Sequence, residues 1–353
     1  MGTNPLSISS FKKIRTLFRT QTPLPKAALI TFFLVLGLEV VFKCLPEFVL
    51  DQPDFVNTWI RWKQTETRKP NCYKTLFLGE CFGMTAFKPV IYDTISRNAP
   101  SFNLCVYQRN TFLSLYYLLK KYLDSAKSPP DQVILEFMEI TLYDQTPLDE
   151  NQINQHILPY LEHDKELWQE LNLWVNTSKM ISFPCWKRPM KGVLSRIWNW
   201  KTQKQQFQIV WNLFQEQRGF YPLGRKEVPD LSLLGNLPQS VKEGKFSKHN
   251  RYYLEKILDL LQQQKISVLL IVPCLRKDRR WLWIRYQVGT HYGKYLQELK
   301  QKYSQIVAIE AYEFVNLFPN VEDFQDSNHL TEASSEKFTR KLAEWVNQLP
   351  EKK

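Results

Sequence analysis

Asp326 and His329 stand three residues apart in a polar turn, Asp326-Ser327-Asn328-His329, and far upstream Cys81 sits at the tip of Gly79-Glu80-Cys81-Phe82-Gly83. A carboxylate three residues from an imidazole can orient the ring and stabilise its charged form, which is the acid–base half of a triad. A thiol beside such a ring becomes a nucleophile, because the imidazole can take its proton. These three are the candidate catalytic set: Cys81 as nucleophile, His329 as base, Asp326 as orienter of the base. Each also has a plainer reading, Cys81 as a small buried residue at a tight turn and Asp-x-x-His as a solvated loop.

Positioning such a set requires that distant segments meet. Short apolar runs at 75–79, 101–107, 133–138, 266–272 and 306–309 read as strands. Helical patterns lie between and behind them: Phe112, Leu115, Leu119 and Tyr122; then Tyr253, Leu254, Ile257, Leu258 and Leu261; then Phe338, Leu342, Trp345 and Val346. Strands alternating with helices predict a parallel, doubly wound α/β sheet. In the order 2-1-3-4-5 the carboxyl ends of strands one and five share the edge where such sheets bind ligands. Cys81 follows strand one, and Asp326 with His329 follows strand five. From about 146 to 249 the alternation stops, and a Gln-rich, aromatic stretch reads as a helical insertion.

The strand running into Gly79-Glu80-Cys81 and the closing Asp326-x-x-His329-Leu330 resemble the first and last sequence blocks of the SGNH (GDSL) hydrolases. The resemblance implies a flavodoxin-like three-layer α/β/α sandwich with a five-stranded parallel sheet, and acyl-ester chemistry with the nucleophile in the first block. Cys81 stands where that family has Ser, and Glu80 where it has Asp. The second block commonly offers a Gly and the third a Gly-x-Asn, both donors to an oxyanion. Here the corresponding stretches read Cys105-Val106-Tyr107-Gln108-Arg109 and Glu136-Phe137-Met138-Glu139. Two functions follow as expectations: an esterase or O-acyltransferase acting on a cell-envelope glycan, or a catalytically inactive SGNH-like scaffold that binds a glycan or a membrane acyltransferase partner.

The chain has 353 residues, 44% hydrophobic and 14% aromatic, which is ample for a large core and excludes a disordered protein. Its net charge of +12 is unevenly spread. Residues 1–26 carry Lys12, Lys13, Arg15, Arg19 and Lys26 and no acid, and residues 27–50 are an apolar run interrupted by Glu39, Lys43 and Glu47. A basic flank before an apolar run of this length predicts a single-pass helix with its N-terminus in the cytoplasm. Lys43-Cys44-Leu45-Pro46 offers no small-residue cleavage site, so the anchor is expected to stay. The predicted organisation is a cytoplasmic tail at 1–26, an anchor at 27–50, a membrane-proximal connector at 51–74 and an SGNH-like domain at 75–353, extracytoplasmic on a bacterial inner membrane.

Six cysteines contain no CxxC pair, and no histidines fall at metal spacing, so neither metal nor cofactor is expected. Arg276, Arg279, Arg280, Trp281 and Trp283 form a basic–aromatic cluster and are the candidate substrate-binding residues; a second such stretch runs from 186 to 204. Outside the cytoplasm these suit sugar rings bearing anionic groups, or an anionic membrane, rather than nucleic acid. The competing reading is a set of solvated helix faces with Trp packed inward. Expected partners are an envelope glycan or acyl donor, the membrane and, by the resemblance, a multi-spanning membrane acyltransferase.

Overall fold

The computed structural model describes residues 55–106, 111–136, 139–143, 198–221, 239–277, 280, 284–285, 287–310, 314–318, 320–326 and 329–350. The predicted tail, the anchor at 27–50 and much of the insertion lie outside them. Among the described residues no helix is long and apolar enough to cross a membrane.

Five parallel strands make one sheet: β1 (Thr75–Leu78), β2 (Ser101–Asn103), β3 (Gln132–Glu136), β4 (Ser267–Ile271) and β5 (Ile306–Glu310), in the order β2-β1-β3-β4-β5. This is the order expected from the sequence. The three central strands are buried almost throughout, as parallel strands covered on both faces must be. β2 is shorter than the apolar run at 101–107. Beyond Asn103 the chain still bonds the β1 edge, through Leu104 N–H to Phe77 O and Val106 N–H to Gly79 O. The Asn103 side chain, however, accepts the Cys105 amide at 3.0 Å, and the regular ladder ends there.

The helices are α1 (Phe55–Glu66), α2 (Cys81–Ala86), α3 (Pro89–Asp93), α4 (Thr111–Ser125), α5 (Glu139–Tyr143), α6 (Trp200–Glu216), α7 (Gln239–Lys242), α8 (Lys248–Gln263), α9 (Val288–Lys302) and α10 (Glu332–Gln348). α8 packs on α4, α10 on α2 and α3, and α6 on α1. Apolar faces at helical spacing drive these contacts: Tyr253, Leu254, Ile257, Leu258 and Leu261 on α8, and Phe338, Leu342 and Val346 on α10, are all buried.

The segment expected to be a membrane-proximal connector is part of this core. Trp59 and Trp62 on α1 are buried; Trp62 stacks on Phe102 at 5.5 Å, and Trp59 Nε1 donates to Gly219 O at 3.1 Å. Burying each indole contributes about 2–3 kcal/mol, which no exposed connector would gain. Part of the predicted insertion is drawn in as well. Phe214 packs against Trp62, Tyr221 meets Trp59 edge-on, and the Tyr221 amide donates to Met84 O on α2.

Candidate active site

After β5 the chain makes two short turns, Phe314–Asn316 and Val321–Asp323, and enters the loop of Asp326 and His329. Phe324 and Leu330 form an antiparallel bridge across it, and the Gln325 amide donates to His329 O at 2.8 Å. Inside this small ring Asp326 binds His329 twice. Its Oδ1 accepts the His329 amide at 2.9 Å, and its Oδ2 lies 2.7 Å from Nδ1. With one carboxylate fixing both backbone and ring, the imidazole turns Nε2 away from Asp326. Thr331 then caps α10 by accepting the Ser334 amide at 3.3 Å, and Ser334 Oγ donates to Asp323. Arg276, fully buried beyond the end of β4, donates from Nη1 to Asp326 O at 3.2 Å.

The nucleophile turn is held differently. β1 leads through Gly79 and Glu80 directly into α2, which begins with Cys81, a half-buried free thiol. Glu80 makes no side-chain cap. The acceptor is Glu136, at the end of β3, whose Oε2 takes the Glu80 amide at 3.1 Å and the Gly83 amide at 3.0 Å. The glycines make room for it: a Cβ on Gly79 would stand 2.4 Å from Glu136 Oε2, and one on Gly83 only 2.7 Å from Cys105 Sγ and from the Phe87 ring. Asn103 Nδ2 donates to Gly83 O and Phe87 O, and from the far end of the chain Ser335 Oγ and Thr339 Oγ1 donate to Thr85 O and Ala86 O, each at 2.8 Å.

Cys81 and His329 meet at the carboxyl edge of the sheet. His329 Nε2 is buried and completes no hydrogen bond of full geometry among the described residues, yet Cys81 lies close enough to act on the ring. Contacts between nucleophile and base are often this loose before a substrate tightens them. Burial opposes a charge on the imidazole, but the Asp326 carboxylate and the Cys81 sulfur outweigh it and push the His329 pKa up to about 10. The ring therefore holds its proton at neutral pH.

Other buried groups surround this edge. Burial pushes the Cys105 thiol well up, with Lys63 opposing and Glu136 and Cys81 adding to the rise. Burial likewise raises the Cys274 thiol, whose Sγ lies 2.9 Å from Phe314 O. Lys63 is fully buried; burial holds its pKa well below the usual lysine range, and its Nζ donates to Cys105 O. Cys105 and Cys274 are thus inert thiols in an apolar setting, in contrast to Cys81 beside its imidazole.

The structure brings together Cys81, Asp326 and His329 of the residues singled out in the sequence. Arg276 is not a surface cation but a buried support of the Asp326 loop, because its guanidinium turns inward to a carbonyl. Arg280 bonds Asn316 Oδ1. Arg279, Trp281 and Trp283 lie outside the described residues. Sequence reasoning missed Glu136 as a partner of the nucleophile turn, although one signal was visible: a charged residue ending an otherwise apolar strand, Val133-Ile134-Leu135-Glu136. The chain matches no protein-family model and no curated protein.

Proposed function

We propose that this chain is a membrane-anchored, SGNH-like esterase or O-acyltransferase that modifies a cell-envelope glycan, with Cys81 as nucleophile. Its domain would be a three-layer, flavodoxin-like sandwich carried outside the cytoplasm by the anchor at 27–50. The observation that carries the reading is the approach of Cys81 to a His329 already oriented by Asp326, at the sheet edge where α/β folds place their ligands.

The chemistry would run in two halves. Cys81 Sγ attacks the ester carbonyl, and collapse of the adduct breaks the ester bond to leave an acyl thioester. The departing alkoxide takes the proton on His329 Nε2. Water or a sugar hydroxyl then gives its proton to Nε2 as it attacks the thioester, releasing acid or new ester and restoring the thiolate. Hydrolysis of p-nitrophenyl acetate by the purified protein tests this. The rate should fall to background in Cys81→Ala and in His329→Ala, and equal rates in all three proteins would end the enzymatic reading.

One observation favours a second reading, a catalytically inactive scaffold binding a glycan or a membrane acyltransferase. Glu136 engages the amides of Glu80 and Gly83 at the edge where donors to an oxyanion would be needed. On that reading Cys81→Ser leaves glycan binding unchanged and iodoacetamide labels Cys81 at a rate independent of His329. Rapid labelling that collapses in His329→Ala removes it.

A further inference from the structure

α6 buries one face and leaves another bare. Val210 and Trp211 pack against the core, and Phe214 is buried in it. Turned away from that stripe, Ile209 is 68% exposed, and Trp198, two residues before the helix, is 90% exposed. Single apolar side chains on a surface are ordinary. The surroundings of these two are not. At helical spacing Ile209 is flanked by Thr202, Gln205 and Asn212, all exposed and uncharged, and Lys201 and Lys204, both exposed, stand between Ile209 and Trp198. From 171 to 215 the sequence has no Asp or Glu but seven Lys or Arg. Soluble surfaces usually intersperse both signs, whereas an acid-free surface with Lys and Trp complements a layer that is anionic outside and apolar beneath. α6 also packs along α1, with Phe214 against Trp62, and α1 follows the predicted anchor in sequence.

We propose that the bare face of α6 lies on the headgroups of an anionic bilayer, with Trp198 and Ile209 entering the apolar boundary and Lys201 and Lys204 meeting lipid phosphates. The proposal rests on the anchored topology and is independent of the chemistry at Cys81. A Trp ring suits that depth because its apolar body sits among the acyl chains while its N–H stays in the wet headgroup layer. Lysine stems lie along the same boundary and keep their ammonium groups outside it. Each Lys near an anionic surface strengthens partitioning about fivefold, an effect that salt screens. Ile209 offers no hydrogen bond to a sugar, which favours lipid over a glycan as the occupant. The anchor alone would leave the domain free to tilt; a second contact through α6 fixes which way the carboxyl edge of the sheet faces.

The experiment places the photo-crosslinker p-benzoylphenylalanine at Ile209, and separately at Trp198, in the full chain reconstituted in nanodiscs, and counts lipid adducts by mass spectrometry after irradiation. Tyr252 on α8, 50% exposed, is the reference position. In phosphatidylglycerol nanodiscs both probes should form lipid adducts about tenfold more often than the reference. The yield should fall about fivefold or more in pure phosphatidylcholine, in about 1 M salt, and in the double variant Lys201→Glu with Lys204→Glu. Yields at Ile209 and Trp198 no higher than at Tyr252 overturn the proposal, and so do equal yields in the two lipids. Adducts to added dextran sulfate in place of lipid overturn it in favour of a glycan. A chain that sodium carbonate strips from cell membranes sinks the anchored reading and the proposal with it, whereas low adduct yields from a chain that resists carbonate sink the proposal alone.

Discussion

The loop carrying Asp326 and His329 is closed mainly by near neighbours in sequence, whereas the turn carrying Cys81 is held by side chains from three distant elements. On the first side are the paired bonds of Asp326 to His329, the Phe324–Leu330 bridge and the Thr331 cap. On the second are Glu136 from β3, Asn103 from β2, and Ser335 and Thr339 from α10, the last two about 250 positions away. Local bonds close small loops at little entropic cost, while the distant ones can form only once the sheet and α10 are in place. The base is thus organised by its own segment. The nucleophile is organised by the whole domain.

This contrast can be broken or sharpened by measurement. The largest effect should come from removing either reacting group: Cys81→Ala or His329→Ala should lower ester hydrolysis by about 10³-fold or more, since neither half works alone. Initial rates with p-nitrophenyl acetate check it. Next, Glu136→Leu leaves two buried amides without an acceptor and should lower unfolding free energy in urea by about 3 kcal/mol. A loss below about 1 kcal/mol would mean that the turn holds itself. The double change Ser335→Ala with Thr339→Ala removes two buried bonds between α10 and α2 and should cost about 2 kcal/mol.

A pH series addresses the local side. His329 binds its proton more tightly folded than unfolded, so the resulting stability is fully present below about pH 6.5 and drains away as the pH rises through about 10. The urea midpoint should therefore fall between pH 7 and pH 10.5, and the fall should shrink in Asp326→Asn. A fall of the same size in that variant would show that the proton is not held by the pair. The smallest effect should come from Thr331→Ala, a single local cap, at about 1 kcal/mol by the same urea assay.

The same contrast explains what could be read from the residues alone. Alternating apolar runs and helical faces report periodicities of a few residues, so the five strands were legible, and their order followed from the doubly wound fold type that this alternation implies. Asp326 and His329 were legible as a pair because both bonds between them lie within four residues. Glu136 was not, because its value depends on amides more than fifty positions away. The segment around Trp59 and Trp62 looked like a polar connector because its composition is mixed; only Phe102 and Phe214, remote in sequence, make its indoles part of the interior. Arg276 looked like a surface cation for the same reason, its carbonyl partner lying fifty residues on.

The burial of α1 has a consequence for reach. On the proposed topology lipid would end near residue 50, and α1 begins at Phe55, with four positions between them. Four residues drawn fully straight cover about 14 Å. On that topology a body on so short a leash would stay at the bilayer surface and would meet its reactants as they diffuse in two dimensions. An acceptor whose modifiable groups lie farther out would have to be delivered to that thin layer before Cys81 could touch it.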